Sequence, residues 1–215
     1  MDKTNTQFGY AGYKNSLTST IKFELKSFIG RLFSPKIRKN KFPLINLGCG
    51  NIIIDGFENI DFYTIRFWKA KSIGHDFRYK LPYANNVFEG AICDNALEHL
   101  HPSDGKKFLK EICRILKPGA ILRVIVPDLQ KYIDYYNGKE IKELEIFGNG
   151  CNAIWNLTSN WTHLAVYDSH MLSIVLEEAG FNNISIKKYM EGNDKRLLKD
   201  REGRDWESLY IECTA

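Results

Sequence analysis

Residues 43–62 read "PLINLGCGNIIIDGFENIDF". The run "PLINL" ends in Gly48-Cys49-Gly50, and the run "FENIDF" carries Asp61 near its end. Short apolar runs bounded by glycine are strand signals. A glycine directly after a strand permits positive φ and lets the backbone approach a ligand that a Cβ would exclude. An acid at the end of the next strand can accept two hydrogen bonds from a ribose diol. Each feature alone also fits a plain turn between strands.

The rest of the chain continues the pattern. "SIGHDF" reads as a third strand edge, with Asp76 placed to accept from an adenine amino group and Phe77 to pack on its ring. "FEGAICDNA" is a buried strand running through Asp94-Asn95 into "ALEHLHP". Phe108, Leu109, Ile112, Ile115 and Leu116 form one helical face, with Gly119 of "KPG" as its stop. "AILRVIVP" is a buried strand, rich in β-branched residues. Asp128 opens a helix through Tyr136, closed by Gly138. Asp168 caps another, with Met171, Leu172, Val175, Leu176 and Ala179 inward and Gly180 at its end. "ISIKKY" and "SLYIEC" alternate as strands. Alternating strand and helix predicts an open α/β sheet, whose ligands sit beyond the carboxyl ends of the strands. Four successive strand ends here carry Gly48 and Gly50, Asp61, Asp76, and Asn95.

Composition bounds the function. At 215 residues, 44% hydrophobic and 26% charged, the chain suits one soluble domain, and no apolar run reaches the ~18 residues of a membrane span. The first residues show no signal-peptide core. Five scattered cysteines without a CxxC pair predict reduced thiols in a cytoplasm, with neither a disulfide frame nor a cysteine-ligated zinc. The net charge of +4 is uneven: residues 1–41 carry nine Lys and Arg against Asp2 and Glu24, while the remainder carries 21 against 24. Leu17, Ile21, Leu25, Phe28, Ile29 and Leu32 recur at helical spacing in that segment. We therefore divide the chain into a basic amphipathic arm (1–41) and a main domain (42–215). A basic arm meets anionic lipid, phosphate or nucleic acid, or is a solvated helix face.

The runs "INLGCG", "NID", "HDFRYKLPYANNVFEGAICDNALEHL" and "FLKEICRILKPGAILRVIVPDL", in this order, resemble the class I S-adenosylmethionine-dependent methyltransferases. They are most similar to type 11-like members with an "LEHL" segment, which are often associated with surface-polysaccharide biosynthesis. The resemblance implies a Rossmann-like, mostly parallel sheet of seven strands with an antiparallel last strand. It implies S-adenosylmethionine as cofactor, with Gly48, Cys49 and Gly50 under its methionine and ribose portion. Asp61 would take the ribose hydroxyls, Asp76 and Phe77 the adenine, and Asn95 the sulfonium end. Asn46 stands where this motif often carries an acid, which weakens its expected contact to the methionine amine. Six residues separate Gly50 from Phe57, although a parallel crossover usually takes a dozen or more. Either the first helix is shortened to a turn or the second strand lies elsewhere; similar "LGCG" sequences favour the former.

A methyl group delivered to an alcohol needs a proton acceptor, most often His. His99 follows the fourth strand and is the first candidate, with Asp128 on the same rim to orient it and His163 as a second candidate. Tyr132, Tyr136 and Trp161 offer aromatic faces to a sugar, although aromatic clusters are more often core. The Asn/Asp-Pro-Pro-aromatic signature of base-amine methylation is missing at "CDNA", and no carboxylates and histidine stand at ligand spacing, so no metal is expected. The sequence predicts O-methylation of a sugar, nucleotide-sugar or glycan hydroxyl by a cytoplasmic enzyme, with peripheral membrane contact through the arm left open. The alternatives are a catalytically silent cofactor-binding module and an RNA-directed enzyme; nucleic acid is disfavoured as a partner.

Overall fold

All four residues of β1 (Leu44–Leu47) are buried, because a parallel strand pairs with it on either side. The computed structural model describes residues 17–33, 37–62 and 72–215, so the polar stretch 1–16 and part of the basic connector lie outside the described residues. The run "FENID" forms β2 (Phe57–Asp61), in register with β1 from Leu44↔Phe57 to Leu47↔Ile60.

The crossover between them, residues 48–56, contains no helix. A helix would satisfy its own backbone groups; here two asparagines supply the partners. Asn46 Nδ2 donates to Ile52 O at 3.0 Å and to Asn59 Oδ1 at 2.9 Å. Asn59 accepts from Ile54 N and donates to Ile54 O, both at 2.9 Å. The amide nitrogen of Asn46 thus ties the loop together, while Asn46 also lines the cavity described below.

The sheet is completed by β3 (Ile73–Gly74), β4 (Phe88–Asp94), β5 (Leu116–Pro127), β6 (Asn182–Lys187) and β7 (Ser208–Thr214), in the order β3-β2-β1-β4-β5-β7-β6. The first five run parallel, and β7 lies antiparallel between β5 and β6. This is the mostly parallel seven-stranded sheet with an antiparallel last strand that the sequence predicts. One face packs under α2 (Pro102–Ile115) and α5 (Ser169–Ala179), with Phe108, Leu109, Ile112, Leu172 and Leu176 fully buried. Met171, expected inward, is 44% exposed. Gly119 does not end α2 either. The helix stops at Ile115, Leu116 already pairs with Phe88, and the next pair is Gly90↔Ile121. The intervening residues bulge outward, and Gly119 takes a φ of +79° there, which glycine tolerates.

The opposite face lacks the helix that a longer first crossover would have supplied. Part of it is covered by the segment around the 3₁₀ turn Lys195–Leu197, whose fully buried Leu197 packs on Leu44, Phe57 and Ile92. Arg123 of β5 anchors this segment. Its side chain is completely buried, binds Asp200 at 2.7 and 2.6 Å and Glu212 at 3.1 Å, and donates to Glu191 O at 2.8 Å. The charged stretch around Asp200 is thereby stapled to the sheet.

Helix α1 (Leu17–Phe33) docks by its polar side. Ser27 and Arg31 bind Asp76, Glu24 takes the fork of Arg78 at 2.7 and 2.9 Å, and Phe23 lies 5.6 Å from Phe62. Its apolar stripe faces outward, with Leu17, Leu25 and Leu32 exposed by 76, 57 and 65%. Among the described residues no helix is long and apolar enough to cross a membrane.

Candidate active site

A cavity of about 1320 Å³ opens at the carboxyl ends of β1, β2, β4 and β5, the crevice where open α/β sheets take ligands. Its first wall is the turn after β1. Gly48 has φ +76°, and a Cβ there would lie 2.2 Å from that of Ala96, so glycine lets the loops after β1 and β4 meet. Cys49 beside it is buried, and burial pushes its thiol up to about 11, which keeps it protonated.

Asp61 stands on the same wall. Its Oδ1 accepts from the Phe62 amide at 2.8 Å. Burial raises its pKa, opposed by the amides of Phe62 and Gly50, so the glycine bend and this carboxylate share one place. Asn95 forms the third side. Its φ is +48°, and its Oδ1 is buried with no hydrogen-bond partner among the described residues. An acceptor left unsatisfied beside a cavity is suited to a donor carried by a ligand. Glycine backbone, ribose-type carboxylate and free amide oxygen together fit an adenosyl group with an amino-acid tail.

Asp76 and Phe77 do not join them, which corrects their expected place at an adenine. The Asp76 side chain is fully buried and bound by Ser27, by Arg31 at 3.0 Å and by Arg78 at 2.8 Å. Burial pushes its pKa up, but the bonds from Arg78 and Ser27 outweigh that and hold it below the usual carboxylate range. Phe77 is 1% exposed and stacks on Phe108 at 4.5 Å. Phe62 and, from α1, Phe23 line the cavity where Phe77 does not.

The acceptor end is built on the 3₁₀ turn Leu97–His99. The amides of Leu164 and Ala165 both donate to Glu98 O, at 2.8 and 3.1 Å, and this clamp sets His163 against the turn. The rings of His99 and His163 lie 5.0 Å apart. His163 Nδ1 is 2.6 Å from Leu157 O. A carbonyl only accepts, so Nδ1 carries the proton and Nε2 the lone pair. Burial, with His163 alongside, brings His99 down to about 4; burial also lowers His163. Both rings are neutral at physiological pH.

Asp128 does not orient His99. It caps α3 (Leu129–Tyr136), accepting from Gln130 N at 3.1 Å, and the polar neighbour of His99 Nδ1 is Thr162 Oγ1 at 3.4 Å. Tyr132 lines the cavity, with its hydroxyl 3.4 Å from Glu207. Trp161 lines it as well, whereas Tyr136 is 60% exposed beyond it. The aromatic cover comes from α3 and α4 (Gly150–Ser159), packed through Tyr132, Leu144, Ala153 and Leu157.

Four cavity residues carry no sequence signal of their own. Arg201 forks onto Asp94 at 2.9 and 3.0 Å, Arg204 pairs with Glu207, and all three of Arg201, Arg204 and Glu207 come from the stapled C-terminal segment. The fourth is Glu98, legible only as the acid of "LEHL". It is 1% exposed, and neither of its carboxylate oxygens has a hydrogen-bond partner among the described residues. Burial pushes it up to about 8.

Residues 63–124 match the family model described as a methyltransferase domain. No curated protein matches the sequence. Among solved structures, a SAM-dependent methyltransferase from Archaeoglobus fulgidus superposes with a TM-score of 0.53 at 14% identity, over 93% of this chain and 100% of that one. A SAM-dependent methyltransferase from Thermotoga maritima, titled a possible histamine N-methyltransferase, gives 0.50 at 15% identity over 92% and 91%. At such identities the likeness is one of fold.

Proposed function

We propose that this chain, an S-adenosylmethionine-dependent methyltransferase by its domain match and its sheet, methylates a hydroxyl of a sugar, nucleotide-sugar or glycan. The observation that carries the reading is His99: a neutral imidazole just past the Asn95 turn, on the acceptor side of the cavity. When bound, the cofactor supplies a methyl group on an electrophilic sulfonium. Gly48, Cys49 and Gly50 would run beneath it, Asp61 would take the ribose hydroxyls, and Asn95 would accept from its amino-acid end.

A hydroxyl attacks poorly until its proton has somewhere to go, and a positioned base contributes ~10²–10⁴-fold. The lone pair of His99 is available across physiological pH because burial keeps the ring neutral. Tyr132 and Trp161 offer ring faces to a sugar, and Lys199 at the rim suits a nucleotide-sugar phosphate. Such an acceptor fits surface-polysaccharide assembly on the cytoplasmic side of a membrane. Labelled cofactor offered with a panel of nucleotide-sugars and glycans tests the reading. Label appearing on a hydroxyl supports it; label appearing only on amines or on RNA overturns it.

A further inference from the structure

Glu98 poses a problem that the proposed chemistry does not use. Its residue is 1% exposed, and neither oxygen has a hydrogen-bond partner among the described residues. A buried carboxylate without a partner is costly. Protonation removes the charge but still leaves two oxygens without a donor and one hydroxyl without an acceptor. A cation neutralises the charge and takes one of the oxygens as a ligand.

The neighbouring groups are those a cation takes. One ligand atom from each of Glu98, His99 and His163 lies within 4.8 Å of the others. Three ligands about 2.0–2.1 Å from a tetrahedral ion stand about 3.3 Å apart, so closure asks for roughly 1.5 Å of side-chain movement. His163 is already oriented for the role: its Nδ1–H is anchored on Leu157 O, which presents Nε2 to a metal. Both imidazoles are neutral, the form that ligates. The amides of Leu164 and Ala165 hold the backbone of the two segments together independently of any ion.

We propose that Glu98, His99 and His163 form a binding site for one divalent transition-metal ion at the acceptor end of the cavity. Two imidazoles and one carboxylate select zinc, cobalt, iron or manganese over magnesium. Three protein ligands leave a coordination position open to the cavity. An acceptor hydroxyl bound there loses its proton more readily, as metal-bound water does. That consequence rests on the methyl-transfer reading, whereas the site itself does not. With the ion in place His99 would serve as a ligand, the ion would hold the hydroxyl as an alkoxide, and the released proton would pass to solvent. This set is not legible at ligand spacing along the chain, because Glu98 and His99 are adjacent while His163 arrives from a distant loop.

The test uses the full chain, stripped with chelator and titrated with Co²⁺ in the absence of cofactor and acceptor. One equivalent should bind and give the visible d–d bands of an ordered site. Glu98→Gln and His163→Ala should each weaken binding by at least 100-fold. X-ray absorption on the wild-type Co²⁺ form, which needs no variant, should report two imidazole nitrogens in the coordination shell. No saturable binding, unchanged affinity in both variants, or a shell without imidazole would each overturn the site. Those failures leave methyl transfer through His99 standing; intact Co²⁺ binding without label transfer would remove the acceptor reading alone.

Discussion

The imidazoles of His99 and His163 face each other with centroids 5.0 Å apart and planes inclined by 61°. They belong to distant segments joined by the amides of Leu164 and Ala165 on Glu98 O. Both rings are partly buried, and desolvation is the main reason that neither is cationic. Glu98 is buried beside them. The acceptor end is thus a small dry cluster of two lone pairs and one acid, at the end of a cavity whose other wall fits an adenosyl group.

His99→Ala should lower turnover about 10²–10⁴-fold while leaving the affinity for the demethylated cofactor within about twofold. Calorimetry and single-turnover label transfer measure the two quantities separately. Unchanged turnover removes His99 from the chemistry, whether as base or as ligand. Thr162→Val is the milder companion, since it deletes only the 3.4 Å contact to Nδ1.

Asp61→Ala removes the carboxylate opposite the glycine bend. A hydrogen bond to a charged group is worth about 1.5–3 kcal/mol, so cofactor affinity should fall about 10- to 100-fold with the fold intact. Isothermal titration with the demethylated cofactor reads it directly. Equal affinity in Asp61→Ala would mean that the ribose sits elsewhere.

Asp76→Ala should act on the arm. The substitution leaves Arg31 and Arg78 without the partner that holds α1. Limited trypsin digestion should then cut at Lys22 or Lys26 faster than in wild type, ahead of any cut in the sheet. Wild-type digestion kinetics would show that α1 is held by other contacts, Phe23 on Phe62 foremost.

Arg123→Ala should destabilise the chain by about 3–5 kcal/mol, because it abandons Asp200 and Glu212 in a dry place. Urea denaturation measures the loss. Arg123→Met should cost less, since it refills the volume, although the acids still lack their partner.

Strand positions were legible because each buried strand writes its own pattern: "PLINL", "FENIDF" and "FEGAICDNA" contain β1, β2 and β4 with one or two residues to spare. The order of glycine bend and Asp61 followed from the same runs. What the sequence hid was partner choice. Asp76 has the right strand-end position for a ligand, but an arm placed far earlier in the chain supplies Ser27 and Arg31 to it. Asp128 has the right rim position, but its own helix needs a cap. The apolar stripe of α1 predicted the helix yet not its docking side, because its polar bonds to Asp76 and Arg78 outweigh its pattern. The C-terminal ion pairs are not legible in sequence, because their partners, Arg123 and Asp94, are remote.

Glu98 and the two histidines of the acceptor cluster should write opposite slopes into the pH dependence of stability in chelator, His163 acting in the same direction as His99. His99 falls from 6.5 to about 4 on folding, chiefly through burial. Its contribution is present above pH 6.5 and is lost as pH falls toward 4, because the unfolded chain binds the proton first. Glu98 rises from 4.5 to about 8, again chiefly through burial. Its contribution is present below pH 4.5 and is lost as pH rises through 8, because the native chain then holds a proton that the unfolded chain has released. As pH rises from 6.5 toward 8 the histidines become neutral in both states and Glu98 alone of the cluster is left to act. Stability should therefore fall there with rising pH, by at most about 1.4 kcal/mol per unit. Glu98→Gln should flatten that limb while keeping the acid limb, and a saturating divalent ion should flatten it too by taking the place of the proton. Urea midpoints at pH 6.5, 7 and 8 decide the matter, and an unaltered slope in Glu98→Gln would mean that another group titrates in that window.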